Sequence, residues 1–386
     1  MDPKDRKPIL SMSEKERRWS LVRERMTSEG LDAIIIWGSS LIPNETACRY
    51  LTNFAIFGSS QDILLFMVDK DPILLLSSPQ QIDFAKITSW IPSQNIHFAE
   101  NIGVALSKHL SALGLQNKRI GIDNPGAWPM RYYQALRDLC PEIELVEVTR
   151  WYSEIRASNS PEELELIANS IRIGELAQKT FLANLKSGMT EEELVGKVDE
   201  ITRANGVENK VWLIASTPVS YPYWPGETVI RKPNMVSFST EFNTIRGYAC
   251  QVIRTYCWEE PKGEEKRACD LWEELRQMAI AEFRPGHELT EMGAKMVKTI
   301  NDWGFECDYL GHGVGLTFFI QPNMSNVYPT ETAWTILPNQ VIVIHPMIRP
   351  KGGGTLMPWV GDMFLAKEDG TEWMTSFLPR IPEMIP

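Results

Sequence analysis

Five short, almost continuously apolar runs lie between about residues 30 and 150 of this 386-residue chain. They read DAIIIWG, DILLFMV, PILLLSS, KRIGID and IELVEV, and helical or polar stretches separate them. Such runs are far shorter than the about 20 residues that cross a bilayer. Apolar runs of this length suit strands that are buried on both faces of a sheet. The pattern predicts an α/β domain that follows an amphipathic helix over 12–29.

The sequence SPEE marks the start of a long helix. Ser160 is an N-cap residue, Pro161 suits the first helical position, and Glu163 completes a capping box. Apolar residues then recur at helical spacing to about residue 185. We therefore predict a boundary here, with an N-terminal α/β domain over 1–155 and a second domain over 156–386.

The second domain mixes helix and strand patterns without regular alternation. Thr190 and Glu193 form another capping box, and Gly206 is placed to end that helix. Strand patterns follow in VWLIAS, NMVSFSTEF and GYACQVIRTYCW, and helical patterns near 263–283 and 290–303. QVIVIHPMI and WVGDMFLAKEDG are strand patterns again. Helices beside strands that read as antiparallel predict an α+β domain.

Charge and cysteine usage narrow the classes of partner and the compartment. The 39 basic and 50 acidic residues give a formal charge of -11, which disfavours nucleic acid and anionic membranes. The N-terminal sequence MDPKDRKPILSMSEKERRWS has no apolar core of the secretory type. The six scattered cysteines contain no C-x-x-C pair and read as reduced, buried thiols. We expect a cytoplasmic protein with a small-molecule partner.

Four segments of the second half resemble the family that contains methionine aminopeptidase, aminopeptidase P, prolidase and creatinase. They are IRASNSPEELELI, VSFSTEF through VIRT, YLGHGVGL, and IHPMIRP followed by WVGDMFLAKEDG. The resemblance covers roughly residues 155–380, and the preceding domain resembles the N-terminal domain of the creatinase and aminopeptidase P branch. It implies a "pita-bread" fold for the C-terminal domain.

In the metal-dependent members of that family, five ligands hold two divalent ions that activate a bridging water. The resemblance places the two aspartates on Thr240 and Gln251, the histidine on His312, and the two glutamates on His345 and Gly361. Four of the five ligand types are changed, and up to four negative charges are removed. The resemblance therefore implies that the usual two-metal site is absent.

Creatinase is a metal-free member that uses a histidine base and glutamates, and this chain departs from it too. Ungapped alignment of PYWPGETVIRKPNMVSFST places the catalytic histidine on Tyr223, and the two glutamates fall on Ile253 and His345. The second family histidine, seven residues after His312, falls on Phe319. Creatine is therefore not expected as the substrate.

The leading hypothesis is a metal-independent enzyme, without a cofactor, that hydrolyses a C–N bond in a small polar metabolite. His312 and His345 would transfer protons, and Tyr223 would donate a hydrogen bond to an oxygen that becomes negative. Strand alternation places Glu241 opposite Thr240, so Thr240 is expected to face the pocket together with Gln251. The remaining candidate substrate-binding residues are Glu241, Trp224, Phe319, Arg254 and Asp362.

Two other functions stay open at the level of sequence. One divalent ion could be held by His312 and His345 with Gln251, Glu241 or Asp362, and could support a hydrolase, a lyase or an oxygenase. Alternatively, the domain could be a non-catalytic binding module, because a protein that has lost its catalytic activity would also have lost the metal ligands. The resemblance to creatinase further implies a homodimer.

Overall fold

The computed structural model describes residues 10–40, 47–317, 320–325 and 333–385. Contacts divide the chain into two compact units, Met1–Arg156 and Ala157–Pro386. The first unit contains an α/β sheet and the second an α+β arrangement, so the predicted fold class is confirmed.

The N-terminal unit is built on a six-stranded sheet with helices between the strands. Its helices are α1 (Met12–Glu29), α2 (Ala47–Thr52), α3 (Ile82–Thr88), α4 (Ile102–Ala112), α5 (Met130–Leu139) and α6 (Thr149–Ala157). Its strands are β1 (Ala33–Ser39), β2 (Gln61–Met67), β3 (Ile73–Leu76), β4 (Ile96–Phe98), β5 (Arg119–Ile122) and β6 (Glu144–Glu147). The five apolar runs therefore form β1, β2, β3, β5 and β6, as predicted.

The sheet has the order β4-β3-β2-β1-β5-β6. It is mixed, because β1 pairs antiparallel with β2 and parallel with β5. Strands β1 and β3 are buried throughout, as continuous apolar runs require. The expectation of full burial is wrong for β6, which is only partly buried because it lies at the edge of the sheet.

The C-terminal unit begins with the long helix that the capping box predicts. Its helices are α7 (Pro161–Asn184), α8 (Glu191–Ala204), α9 (Gly263–Glu282) and α10 (Leu289–Asp302). Its strands are β7 (Val207–Ala215), β8 (Val236–Thr244), β9 (Ala249–Cys257), β10 (Phe305–Cys307), β11 (Tyr309–Gly313), β12 (Ile320–Ser325), β13 (Val341–Ile344), β14 (Ile348–Pro350), β15 (Asp362–Lys367), β16 (Gly370–Trp373) and β17 (Glu383–Met384). Both predicted capping boxes are formed, at Ser160 and at Thr190.

Two sheets of this unit position the site. One has the order β17-β9-β8-β7 and the other the order β12-β11-β13-β15-β16. Helix α7 packs on β8 and β9, where Phe181 stacks on Phe238 with ring centroids 4.2 Å apart. Helices α9 and α10 contribute to a separate buried core with β13 and β15. An antiparallel bridge between Ile253 and Gly361 connects the two sheets.

All six cysteines lie among the described residues, and all six side chains are buried, as predicted. Among the helices in the described ranges, none combines the length and the apolar character that a bilayer span requires.

A buried polar cluster as the candidate active site

The pairing of β8 with β9 selects the side chains that face the second sheet. Glu241 lies directly opposite Gln251, and Thr240 lies opposite Val252. Directly paired residues of an antiparallel ladder point to the same face of the sheet. Glu241 and Gln251 therefore share one face, and Gln251 reaches from it to His345 on the other sheet.

The structure corrects the sequence prediction for Thr240. Its hydroxyl donates to the Val252 carbonyl at 3.0 Å and accepts from the amide of Gln178 at 3.3 Å. Gln178 belongs to α7, so Thr240 faces that helix and not the cluster. The alternation of Thr240 and Glu241 was predicted correctly, but the face assigned to each was wrong. The cause is the register with β9, which puts Glu241 beside Gln251.

The histidines His312 and His345 come together, as the resemblance to the family implied. Their ring centroids are 5.3 Å apart, and the two rings are nearly perpendicular. Both side chains are buried, with 2% and 4% of their surface exposed. Gln251 Nε2 lies 3.3 Å from His345 Nε2. Because an amide nitrogen can only donate, His345 accepts at Nε2 and carries its proton on Nδ1.

Burial keeps both histidines neutral. Burial lowers the pKa of His312 to about 4, although the Gly313 carbonyl 2.9 Å from Nδ1 partly opposes this shift. The same carbonyl fixes the proton of His312 on Nδ1, because a carbonyl oxygen can only accept. Burial and the neighbouring His312 lower the pKa of His345 well below its usual value. At neutral pH the pair therefore presents neutral imidazoles.

Glu241 is the titratable group of the cluster that is poised near neutral pH. Burial raises its pKa to about 7, and a hydrogen bond from the Ser239 hydroxyl at 2.7 Å partly opposes the shift. A carboxyl group that is half ionised near the working pH can both accept and return a proton. On sequence alone Glu241 is a candidate for substrate binding only, since strand alternation does not say which face of the strand points towards the site.

Tyr309 also belongs to the cluster, and sequence reasoning missed it. Its ring centroid lies 5.2 Å from that of His345 and 6.0 Å from that of His312. Burial and the charge of Glu241 raise the pKa of its hydroxyl. A signal was present in the sequence, because Tyr309 precedes the Gly-His-Gly segment by two residues on a strand.

The structure assigns Arg254 and Asp362 to a buried ion-pair network, which contradicts the prediction that they bind substrate. Asp362 pairs with Arg254 at 3.0 Å and with Arg276 at 3.0 Å. Arg254 also donates to backbone carbonyls, those of Thr375 and Gly361 among them. Burial tends to raise the pKa of Asp362, but the two arginines outweigh it and the net pKa is lowered. Both predicted residues are thus engaged in holding β9 and β15 together.

Tyr223 and Trp224 lie outside the buried cluster. Their side chains are 59% and 67% exposed, and the backbone of Tyr223 pairs with Ile214 on β7. The geometry therefore does not support the prediction that Tyr223 donates to an oxygen at the centre of the site. Tyr309, whose hydroxyl is buried, lies beside His345 instead. The prediction for Phe319 lies outside the described residues.

The position that the resemblance gives to the last metal-binding glutamate is filled by another side chain. A Cβ atom on Gly361 would lie 2.3 Å from Ile253 Cδ1 and 3.0 Å from His345 Cβ. Ile253 itself is completely buried. A carboxylate at residue 361 therefore has no room unless Ile253 moves.

The donor set does not fit the divalent ions that the resemblance implies. Two dications require several carboxylates to neutralise them, and the five family positions supply only two neutral histidines, an amide, a hydroxyl and a glycine. Within the described residues, no three His, Cys, Asp or Glu side chains are grouped as a metal site requires. The proposed single-ion set fails for Asp362 as well, because its two oxygens are bonded to arginines.

Comparison with known proteins identifies the lineage of this site. The profile of metallopeptidase family M24 matches residues 165–368, more than half of the chain. The chain belongs to metallopeptidase family M24. The profile of the creatinase/prolidase N-terminal domain matches residues 18–158. The resemblance stated from the sequence is thereby confirmed.

Relatives within family M24 match almost the whole chain at low identity. Creatinase of a Bacillus species is 24% identical over 98% of this chain and 94% of its own length. Xaa-Pro dipeptidase of Pyrococcus furiosus is 23% identical over 80% of this chain and 86% of its own. Relatives with these names are hydrolases that act on C–N bonds, so the chain descends from hydrolases of that class.

Solved structures of family M24 proteins share the fold. X-Pro aminopeptidase of Thermotoga maritima has a TM-score of 0.79 at 19% identity and covers 95% of this chain and 99% of its own. Dipeptidase PepE of Mycobacterium ulcerans has a TM-score of 0.81 at 16% identity, covering 98% and 99% of the two chains. The pita-bread arrangement of these proteins is thus retained in this chain.

The ion-pair network gives a prediction about stability. Asp362→Asn should destabilise the protein by about 3–5 kcal/mol at pH 7, because two buried arginines lose their counter-charge. The folded state holds the pKa of Asp362 below its usual value, so its contribution is present at neutral pH and is lost as pH falls through that pKa. Denaturant unfolding at pH 7 and at acidic pH measures both effects.

The exposed pair of Lys298 and Asp302 provides the control for that measurement. Asp302→Asn should change the free energy of unfolding by less than about 1 kcal/mol, since exposed ion pairs contribute little. Equal effects of the two substitutions would contradict the structural role of Asp362.

The filled ligand position gives a second prediction. Gly361→Ala should destabilise the protein by about 1–3 kcal/mol through overpacking against Ile253. In an Ile253→Ala background the same substitution should cost much less, because the added methyl group enters the vacated space. A double-mutant cycle from denaturant unfolding measures the coupling between the two positions. An additive cycle would show that Ile253 does not fill the space next to Gly361.

Proposed function

We propose that this protein is a metal-independent hydrolase that cleaves a C–N bond in a small polar metabolite. The observation that carries the proposal is a buried carboxyl group, Glu241, whose pKa burial raises to about 7 and which shares a sheet face with Gln251. Gln251 in turn lies 3.3 Å from His345, so the carboxyl group belongs to the same cluster as the two neutral histidines. General acid–base catalysis at neutral pH needs such a group. Descent from C–N hydrolases supports the reaction class.

The proposed reaction follows from the protonation states. In its ionised form Glu241 removes a proton from a water molecule, whose oxygen adds to the carbon of the C–N bond. The protonated Glu241 then gives that proton to the leaving nitrogen as the C–N bond breaks. One water molecule is consumed, and the carboxyl group returns to its starting state. Ser239, whose hydroxyl donates to Glu241, orients the carboxyl group for both transfers.

We propose a role for the two histidines that differs from the proton transfer predicted from the sequence. With pKa values lowered by burial, His312 and His345 would not store a proton at neutral pH. They suit hydrogen bonding to a polar substrate, His312 as an acceptor at Nε2 and His345 as a donor at Nδ1. The pair would then orient the substrate while Glu241 transfers the proton.

The two alternatives from the sequence, an enzyme with one metal ion and a binding module without catalysis, are distinguishable from a metal-independent hydrolase. The single-ion alternative needs at least three metal ligands, and among the described residues no three His, Cys, Asp or Glu side chains are grouped to supply them. A binding module without chemistry would keep a ligand in the same cluster but would turn nothing over. Assays of product release separate this outcome from hydrolysis.

Further aspects of the proposal concern the partner, the assembly and the compartment. We propose a small molecule as the partner, because the net charge of -11 disfavours nucleic acid and anionic membranes. The buried cysteine thiols agree with a reducing compartment such as the cytoplasm. The exposed aromatic side chains of Tyr221, Tyr223 and Trp224 suit a contact between two copies of the chain.

The homodimer gives a direct test. Sedimentation velocity of the purified protein should give the mass of two chains, and Trp224→Ser should shift the equilibrium towards the monomer, because an exposed indole is lost from the contact. Met130→Ser, which removes another exposed apolar side chain, serves as the comparison. A monomer at all concentrations would contradict the proposal.

Glu241→Gln tests the proposed function. This substitution keeps the shape of the side chain but removes proton transfer, so turnover should fall by about 10²–10⁴-fold. Release of amine or ammonia from a library of small amides, ureides and amidines measures turnover. Glu191→Gln is the matched control, because Glu191 is also buried and has a raised pKa but bonds to Ser216 outside the cluster. Turnover by Glu241→Gln equal to that of the parent would refute the role of Glu241.

Glu241→Gln should also make the protein more stable than the parent, by an amount that depends on pH. The pKa of Glu241 is 4.5 in the unfolded chain and about 7 in the folded protein. Between pH 4.5 and about 7 the folded parent therefore keeps a proton that the unfolded chain releases. Stability of the parent relative to Glu241→Gln therefore falls as pH rises through this window. Above pH 7 the variant should be more stable by roughly 3 kcal/mol, with no difference near pH 4.5. Denaturant unfolding from pH 5 to pH 8 measures the difference.

A further inference from the structure

Polar atoms in the cluster lack partners although they are buried. The hydroxyl oxygen of Tyr309 and the side-chain oxygen of Gln251 make no hydrogen bond within the described part of the chain. Nδ1 of His345 is a third such atom. Buried polar groups are normally hydrogen-bonded, so a group of partnerless atoms at one place indicates a ligand that supplies the partners.

The three residues that carry these atoms are neighbours in the fold. The ring of His345 lies 5.2 Å from that of Tyr309, and its Nε2 lies 3.3 Å from the amide of Gln251. Gln251 and His345 are only 1% and 4% exposed. Trp359, whose indole donates to the His345 carbonyl at 3.2 Å, closes another side of the ring. The three residues therefore belong to one cluster, in which Gln251 and His345 are buried and Tyr309 is partly buried with a buried hydroxyl.

The chemistry of these atoms selects a kind of ligand. A tyrosine hydroxyl and the protonated Nδ1 of an imidazole donate, while the side-chain oxygen of glutamine accepts. None of these groups carries a charge at neutral pH. With Glu241 protonated, a charged ligand group at this position would lose its hydration without gaining a counter-charge, which is unfavourable. A neutral group with an acceptor and a donor side by side satisfies all of them.

We infer that Tyr309, Gln251 and His345 bind the reacting group of the substrate, and that this group is a neutral amide or ureide. The hydroxyl of Tyr309 donates to the carbonyl oxygen of the ligand, and Gln251 Oε1 accepts from its N–H. The inference rests on the proposed function and names its substrate class. It also makes Tyr309 a catalytic residue that the sequence did not reveal.

The geometry defines what Tyr309 does in the reaction. When water adds to the carbonyl carbon, the C=O electron pair moves to the oxygen, and the proton of the water goes to Glu241. The hydroxyl of Tyr309 stabilises the resulting oxyanion by a hydrogen bond and keeps its own proton. The oxyanion then re-forms the C=O bond as the C–N bond breaks, and Glu241 returns its proton to the nitrogen.

Pairs of probes with one shape and different charge test the substrate class. N-methylurea and acetamide are neutral, while N-methylguanidinium and acetamidinium have the same outlines and a positive charge. Ligand-observed NMR titration of the full-length protein at pH 5.5, where Glu241 is protonated, gives the four affinities. We expect each neutral probe to bind at least about 10-fold more tightly than its cation, the difference of one satisfied hydrogen bond to a buried group.

Two tyrosine variants test the residue. Tyr309→Phe should weaken the neutral probes by about 5- to 10-fold, and it should leave the unfolding temperature unchanged or raise it by about 2 °C, because a buried hydroxyl without a partner is removed. Tyr256→Phe is the matched control in the same unit, since the Tyr256 hydroxyl donates to Gln178 Oε1 at 2.6 Å. It should lower the unfolding temperature by about 2 °C and leave probe binding unchanged. A purely structural Tyr309 would behave like Tyr256.

The possible outcomes separate this inference from the proposed function. Tighter binding of the cationic probes, no binding of either neutral probe, or undiminished binding by Tyr309→Phe would overturn the inference. Hydrolysis of a cationic amidine would overturn the inference and leave the proposed function in place. Neutral probes that bind as expected without turnover of any library member would support the inference as a binding site and would reject the hydrolase.

Discussion

The antiparallel register of β8 with β9 is the constraint on which the site depends. It sets Glu241 opposite Gln251, so the carboxyl group and the amide emerge on the same face, while Thr240 turns to Gln178 on α7. A shift of one residue would exchange these faces and would place a hydroxyl where the buried carboxyl group lies. Helix α7 supports this register, because the Gln178 amide donates to backbone carbonyls of both strands.

The connection between the two sheets fixes the rest of the cluster. The bridge from Ile253 to Gly361 and the network of Asp362 with two arginines hold β9 against β15. Next to β15 in the sheet, β13 ends at the residue before His345, so the histidine is delivered towards Gln251. The charged groups of the region thus stabilise the scaffold, and the groups that face one another across the cluster are neutral or titrate near pH 7.

The separation of the charged scaffold groups from the neutral groups of the cluster explains how the family fold persists without the family's metal-binding carboxylates. A two-metal site needs concentrated negative charge, which is unfavourable in a buried position unless the ions are bound. Here the family positions carry uncharged side chains, and Ile253 fills the space beside Gly361. Glu241 supplies a single carboxyl group, and protonation relieves the cost of burying it. The fold tolerates the substitutions because they replace repulsion by packing and hydrogen bonds.

The resemblance to the family implied that His312 and His345 occupy ligand positions of one site. The sequence by itself determined the α/β and α+β units and the capped starts of α7 and α8. These features are local, since apolar runs, capping residues and glycine-flanked motifs act over a few neighbouring residues. Only the tertiary structure decided that Glu241 faces inwards and that Arg254 and Asp362 stabilise the sheets. It also decided that the hydroxyl buried in the cluster belongs to Tyr309 and not to Tyr223. Each of these outcomes depends on the register between strands or on contacts between residues far apart in the chain, and strand alternation does not specify which face of a strand is covered.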